Sequence, residues 1–178
     1  MSSLEEKYPH LFHEVLWEWG PIRAEFKKLD SEPPDNLIAH INLVPRIGNE
    51  WVLLRHENGA WDIPGGTLEP GETYMNALRR ELVEEAGAEL HSFRILGAWH
   101  CMSMAGKPYR AHLPFPEFYR FVGYGQVELK TAPTNPPGGE PIAAVESVSL
   151  EQAIANFQTC RRYDLAELYQ FASEMETL

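Results

Sequence analysis

The chain has 178 residues, 44% of them hydrophobic, with 15 lysines and arginines against 26 aspartates and glutamates, a formal net charge of -11. This length suits a single domain, residues 1–178, with a substantial core and little room for a second. The acidic balance excludes an extensive basic surface for polymeric nucleic acid, and a small anionic substrate would need a cation as mediator.

Apolar runs and alternations bounded by turn-forming residues predict strands along most of the chain. In chain order these strands are expected at 15–19, 22–26, 37–44, 51–55, 61–63, 89–100, 118–124 and 145–148. Loops are expected at 29–36, 101–117 and 131–141, where Pro, Gly, Asn and Asp accumulate. The middle loop is longer than an ordinary hairpin turn, and loops of this kind often carry specificity.

Three helices are predicted from capping residues and apolar spacing. The first begins near Thr73, which can cap its first turn, and ends at Gly87, a residue suited to a left-handed C-terminal position. The other two are expected at capping boxes, namely Ser149 with Gln152 and Asp164 with Glu167.

The beginning of the chain lacks a basic segment followed by an apolar one, so no signal peptide is expected. No apolar run is long enough to cross a bilayer. Cys101 and Cys160 are far apart and have no CxxC or Cys/His spacing, which favours reduced, buried thiols. Together these features predict a cytoplasmic protein.

The helix that begins near Thr73 divides into an apolar stripe and an acidic arc. The stripe consists of Met75, Leu78, Leu82 and Ala86, and the arc of Glu81, Glu84 and Glu85. The glutamates repel one another, and an i, i+4 pair between Arg80 and Glu84 leaves the others without a partner. A divalent cation would supply the missing charge. The alternative, a solvated face of Glu and Arg, is what this helix alone would favour.

A wider pattern of fixed spacing distinguishes these two interpretations. The pattern Gx5ExxxxxxxREUxEExGU, with U a bulky aliphatic residue, is matched by Gly66, Glu72, Arg80, Glu81, Leu82, Glu84, Glu85 and Gly87. At these positions the sequence resembles the Nudix hydrolase superfamily. Ala88 is smaller than the usual last aliphatic residue. WDIPGG at 61–66 resembles the family's lead into this box, and SVSLEQA at 147–153 resembles its late strand-to-helix turn, with Ser147 where an aromatic residue is common.

The resemblance implies a Nudix-like α/β/α sandwich with a mixed β-sheet and a loop-helix-loop metal-binding motif. It also implies Mg²⁺-dependent hydrolysis, with Mn²⁺ as an alternative ion, of a nucleoside diphosphate linked to another moiety, by attack of water at phosphorus. Glu81 and Glu85 would be the principal metal ligands, and Glu84 would serve a second ion or activate water. Glu72 would complete the metal cluster or orient it, unless it only compensates the helix dipole. Arg80 would orient a carboxylate.

The resemblance leaves the general base open between Glu84 and Glu140, which lies in the loop sequence PPGGEP. Gly65 and Gly66 are expected to form a sharp turn whose backbone can approach phosphate oxygens. In the middle loop, Lys107, Arg110 and His112 are candidates to bind phosphate, although such side chains are more often simply exposed on the surface. Aromatic residues that could stack on a base, although packing is the commoner role, are Trp51, Trp61, Tyr109 and Phe115.

Two other functions belong to different classes. One is a Nudix-like module that binds and regulates without turnover, and the other is an isoprenoid diphosphate isomerase. An intact box favours an enzyme over the module, and neither cysteine has a recognisable context for the isomerase. The expected partner is a small nucleotide or other diphosphate, with a capped RNA end and a homodimer as further options and no membrane. Residues 102–106 carry no marker that would identify the substrate.

Overall fold

A mixed β-sheet organises the chain, whose computed structural model describes residues 3–176. The strands are β1 (Val15–Trp17), β2 (Ile22–Lys28), β3 (Ile38–Ile47), β4 (Glu50–His56), β5 (Trp61–Asp62), β6 (Gly65–Thr67), β7 (Ala88–Leu90), β8 (Arg94–Ser103), β9 (Glu117–Leu129) and β10 (Ile142–Val148). The helices are α1 (Leu4–Lys7), α2 (Pro9–Phe12), α3 (Tyr74–Glu81), α4 (Leu150–Thr159) and α5 (Tyr163–Glu176). Asp35–Leu37 forms a 3-10 turn, and Leu82–Ala86 continues α3 as a π-helical turn.

The sheet is open and has the strand order β1-β2-β8-β9-β3-β4-β10. The short strands β5, β6 and β7 pair with β4, β3 and β9, respectively. Strands β3 and β9 run parallel, and the other pairs are antiparallel. The parallel pair at the centre brings β6, which leads into α3, to the same region of the sheet as the middle of β9.

Strand β4 shows why helices cover both faces of the sheet. Its side chains alternate, so Trp51 and Leu53 join a core with α2, α4 and α5, whereas Val52 and Leu54 join a second core with α3. Each face therefore buries its own apolar layer. This arrangement confirms the predicted α/β/α sandwich with a mixed sheet, and Leu78, Leu82 and Ala86 of the predicted apolar stripe are buried in the second core.

The predicted strand at 89–100 is wrong as one element, because residues 91–93 separate β7 from β8. The backbone N–H groups of His91 and Ser92 both donate to the carbonyl of Gln126, at 2.9 and 3.2 Å. Strand β7 pairs with the far end of β9, and β8 pairs with its earlier part. Apolar alternation continues across such a break, so the pattern could not indicate it. Strand β6 was also not predicted, since two of its three residues are glycines.

The predicted cap of α3 is formed, whereas only the Ser149 half of the predicted capping box of α4 is formed, because the Gln152 side chain donates to Asn156 at 2.8 Å. The Thr73 hydroxyl accepts the N–H of Asn76 at 3.2 Å, and the Ser149 hydroxyl accepts that of Gln152 at 3.2 Å. The helical segment begun by α3 ends at Gly87, whose φ of 59° lies in the left-handed region.

The predicted capping box of Asp164 with Glu167 is wrong. Helix α5 already begins at Tyr163, and the Asp164 carboxylate instead accepts from Arg162 at 3.0 and 3.1 Å. Glu167 accepts the backbone N–H groups of His10 and Leu11, each at 2.8 Å. The carboxylate thus satisfies donors at the start of α2, a distant segment that local spacing does not reveal.

No helix within residues 3–176 combines the length and the apolar character needed to cross a bilayer. Cys101 is buried, Cys160 is half-buried, and neither forms a disulfide bond.

Phe157 is fully buried between α4, α5 and the sheet. We expect Phe157→Ala to lower the free energy of unfolding by about 3–5 kcal/mol, because truncation removes apolar contacts and leaves a cavity. Urea denaturation followed by far-UV circular dichroism measures the change. Leu16→Ala, at an exposed strand position, is the control and should stay within about 0.5 kcal/mol. Equal effects of the two substitutions would contradict the packing described.

Candidate active site

Arg80 is the central cation of the acidic helix. Its Nε and Nη2 atoms donate to the two carboxylate oxygens of Glu72 at 2.9 and 3.0 Å, and Nη1 lies 2.7 Å from Glu81 and 3.4 Å from Glu84. The predicted i, i+4 pair with Glu84 is therefore the longest of these contacts. The two hydrogen bonds between Arg80 and Glu72 raise the pKa of Arg80 and lower the pKa of Glu72. Arg80 also donates to the Thr67 carbonyl at 3.3 Å, which ties α3 to β6.

The turn at Gly65 and Gly66 packs directly against the acidic side chains. A Cβ at Gly66 would lie 1.8 Å from the Oε1 atom of Glu81, so only glycine leaves room for this carboxylate. Gly65 has a φ of 151°, and its N–H donates to Glu85 at 2.9 Å. The two glycines therefore hold Glu81 and Glu85 against the start of β6.

Glu85 is an acid without a basic partner. Among the described residues, no Lys, Arg or His nitrogen lies within 4.0 Å of its carboxylate. Burial raises the pKa of Glu85 to about 8, and burial likewise raises the pKa of Glu81 although Arg80 opposes it. Two partly desolvated carboxylates side by side favour either a shared proton or a bound cation.

A cavity of about 310 Å³ opens at this position, and Glu81, Glu84 and Glu85 contribute to its wall. Carboxylate oxygens are the ligands that Mg²⁺ and Mn²⁺ prefer, and the missing counter-charge at Glu85 fits a divalent ion. Within residues 3–176, however, no three His, Cys, Asp or Glu side chains form a closed metal-binding group. Arg80 lies between Glu72, Glu81 and Glu84 and forms an ion pair with each of them. Glu72 faces Arg80 and does not line the cavity.

The loop after β9 forms the other wall of this cavity. The Glu84 carbonyl accepts the N–H groups of Thr134 and Asn135 at 2.9 and 3.2 Å. The Asn135 side chain then accepts the N–H of Ile142 at 2.9 Å and donates to the Ile142 carbonyl at 3.1 Å, which closes the loop. The loop thereby brings Glu140, predicted from sequence as a candidate base, to the same cavity as the helix glutamates.

Sequence reasoning did not indicate His56, a buried residue beside Glu140. Its Nδ1 atom lies 3.7 Å from Glu140 and its Nε2 atom 3.6 Å from Asp62. Asp62 is the main cause that raises the pKa of His56, with smaller contributions from Glu140 and Glu85, although burial opposes the shift. A single histidine at the end of a strand gives no signal of this kind, because the contact joins β4, β5 and the loop before β10.

A larger cavity of about 490 Å³ is lined by Thr67 of β6. Lys107, Tyr109 and Phe115 of the middle loop contribute to its wall. Arg110 is not part of that wall, and its guanidinium lies 5.6 Å from the centre of the Tyr109 ring.

The remaining candidates have structural contacts elsewhere. His112 is bonded through Nε2 to the Leu68 carbonyl at 2.8 Å. Trp51 is buried in the core, and Trp61 packs against the same core.

Comparisons with known proteins agree with this geometry. The family model for the NUDIX domain matches residues 40–169. The Bacillus subtilis protein YtkD, a proposed 8-oxo-dGTP diphosphatase, is 36% identical over 70 residues, which are 39% of this chain and 44% of YtkD. An RNA pyrophosphohydrolase of Legionella pneumophila is 48% identical over 44 residues, 25% of each chain. The crystal structure of the Bacillus subtilis pyrophosphohydrolase BsRppH matches with a TM-score of 0.55 and 22% identity over 76% of this chain and 77% of that one.

The match of the family model extends over most of the chain, so the chain belongs to the Nudix hydrolase superfamily. The aligned segments span less than half the length of the curated relatives named above.

The raised pKa of Glu85 gives a prediction for stability in metal-free buffer. Between about pH 4.5 and pH 8 the folded protein binds this proton and the unfolded chain releases it, so the free energy of unfolding falls as pH rises. Glu85→Gln keeps an acceptor for Gly65 but has no charge. We expect the variant to gain about 2–4 kcal/mol over the wild type between pH 5 and pH 9 in EDTA.

Urea denaturation at several pH values measures this difference. Glu18→Gln, at an exposed position outside the site, is the control and should follow the wild-type curve. A constant difference between Glu85→Gln and wild type across this range would contradict a half-buried carboxylate without a basic partner.

Proposed function

We propose that the protein is a Mg²⁺- or Mn²⁺-dependent pyrophosphohydrolase that cleaves a nucleoside diphosphate linked to another moiety. The observation that carries this proposal is the pair of half-buried carboxylates, Glu81 and Glu85, at a cavity that Glu84 and Glu140 also line. The family to which the chain belongs, and the names of its relatives, support the same class of reaction.

Glu81 and Glu85 would hold the ion, with Glu84 as a further ligand. When bound, the ion supplies Lewis acidity toward the diphosphate oxygens. Arg80 would keep Glu81 in position. The hydrogen bonds that Arg80 donates to Glu72 and to the Thr67 carbonyl fix the Arg80 side chain itself. Gly66 would permit the close approach of Glu81 to β6, and the Gly65 N–H would orient Glu85. Lys107 could neutralise phosphate charge from the larger cavity.

The general base would take a proton from the attacking water, and two carboxylates at the smaller cavity can do so. One Glu84 oxygen lies 3.4 Å from the Nη1 atom of Arg80, so this carboxylate already has a cationic partner within the helix. Glu140 is largely exposed and stands beside His56 on a loop that is bonded to the helix. We therefore favour Glu140, positioned by His56 and by the Asn135 closure of the loop.

A small nucleotide is the substrate that this geometry favours. The two cavities suit a diphosphate at the acidic helix and a nucleoside in the larger, mainly apolar space. A 5′ RNA end is a second candidate, because the Legionella relative is named an RNA pyrophosphohydrolase. The net charge of -11 makes a long polyanion less favourable. A cytoplasmic location and a homodimer remain part of this proposal.

Glu85→Gln tests the proposed metal site. With Mg²⁺ and a panel of nucleoside triphosphates, dinucleotides and nucleotide sugars, we expect kcat/KM to fall at least about 100-fold, because the variant loses a charged ligand. Glu128→Gln, at an exposed position on β9, should keep the wild-type rate. In H₂¹⁸O the wild type should place the label in a phosphate product. Tight nucleotide binding with no product in any divalent metal would instead favour a regulatory module.

The choice of base is tested by Glu140→Gln and Glu84→Gln side by side. We expect kcat to fall about 10²- to 10⁴-fold in Glu140→Gln, with loss of the acidic limb of the pH profile and little change in Mg²⁺ affinity. Glu84→Gln should chiefly weaken Mg²⁺ affinity. A pH profile that keeps its acidic limb in Glu140→Gln and loses it in Glu84→Gln would assign the base to Glu84.

A further inference from the structure

Arg120 is a cation without an anionic partner at the larger cavity. It belongs to β9 and lines the cavity, and its Nε atom is buried without a hydrogen-bond partner among the described residues. Within residues 3–176, no carboxylate oxygen lies within 4.0 Å of its guanidinium. The charge of this guanidinium therefore has no counter-charge from the described residues, and a ligand that presents acceptors to it from the cavity would be bound favourably.

The surroundings of Arg120 fix its orientation. Its Nη2 atom lies 3.1 Å from the Nε2 atom of His40, which is next to it on β3, and its guanidinium lies 5.2 Å from the centre of the Trp17 ring. Burial and the nearby Arg120 lower the pKa of His40 well below its usual value, so His40 is neutral and accepts at Nε2. Its Nδ1 can then donate to the Thr67 hydroxyl, at 3.3 Å. These contacts engage Nη2 and one face of the guanidinium, and among the described residues Nη1 forms no hydrogen bond.

The cavity wall around this cation suits a flat ring. Aromatic side chains from two separate segments line it, among them Trp19, which stacks on Trp17, and the largely exposed Tyr109. Thr67 lies at this wall and is also bonded through its carbonyl to Arg80 of the acidic helix. Thr67 thus connects the wall of the larger cavity to the acidic helix through a hydrogen bond.

We propose that Arg120 is a specificity-determining residue that selects a 6-oxopurine base through donation to its O6 and N7 atoms. An arginine fork matches these two adjacent acceptors, whereas adenine presents an amino donor in place of O6 and would face the guanidinium donor to donor. This inference rests on the proposed function only in placing a nucleotide at this site.

Binding measurements in EDTA test the assignment separately from hydrolysis. Calorimetric titration of the full chain with GMP, IMP and AMP should give wild-type affinities for GMP and IMP at least about 10-fold above that for AMP. Arg120→Met should lower the affinity for GMP and IMP to within about twofold of that for AMP, with AMP binding unchanged. Arg120→Lys keeps the charge but not the fork and should retain only part of the preference.

Arg94→Met, at an exposed position on β8, is the matched control and should bind like the wild type. Thermal unfolding identifies a variant that fails to fold, in which case Arg120→Lys provides the decisive comparison. Equal wild-type affinity for GMP and AMP, or no detectable binding of either at millimolar concentration, would overturn the proposal. Equal weakening of both ligands in Arg120→Met or Arg120→Lys would also overturn it, because that result assigns Arg120 to phosphate.

Hydrolysis distinguishes failure of this inference from failure of the proposed function. Selective binding of GMP through Arg120, with no cleavage of any nucleoside triphosphate, dinucleotide or nucleotide sugar in any divalent metal, would refute the hydrolase and leave the role of Arg120 intact. Efficient cleavage of both GTP and ATP with the same kcat/KM in wild type and Arg120→Met would refute the role of Arg120 alone.

Discussion

The contact between two glutamates and a glycine turn is the constraint on which the rest of the site depends. Gly66 leaves room for the Glu81 carboxylate where any side chain would collide, and Gly65 donates to Glu85. The two acids are thereby held partly out of water, where their charges repel and their pKa values rise. Such an arrangement costs stability, and it is compensated by Arg80 on one side and, in our proposal, by a divalent ion on the other.

The surrounding fold supports this costly cluster from both sides. The buried face of α3 anchors the helix through Leu78 and Leu82, so the acidic residues cannot turn away into solvent. At the end of the helix the chain binds back to it, because the Glu84 carbonyl accepts two N–H groups from the loop after β9. The same bonds that end the helix therefore bring the loop with Glu140 to the cavity. The backbone hydrogen bonds that hold this loop on the helix therefore also position Glu140, the base that we propose.

Two cavities would divide the recognition of a nucleotide in the function that we propose. The smaller one is lined by carboxylates and suits a metal-bound diphosphate, whereas the larger one is mainly apolar but contains the unpaired Arg120. Because Arg120 has no carboxylate partner, its donors are available for an uncharged ligand edge as well as for an anion. Selection of the base and cleavage of the anhydride would thus depend on different residues, which share Thr67 as a structural link.

The sequence by itself determined the acidic helix, its caps at Thr73 and Gly87, the class of fold and the family, because all of these are encoded in local spacing. It could not determine that Glu167 caps α2, that residues 91–93 interrupt a strand, that His56 lies beside Glu140, or that Arg120 lines the larger cavity. These contacts join segments far apart in the chain; the pairing of β3 with β9, for example, places His40 next to Arg120. Local patterns report which face of an element is apolar, whereas the partner of a buried polar group is decided by tertiary structure.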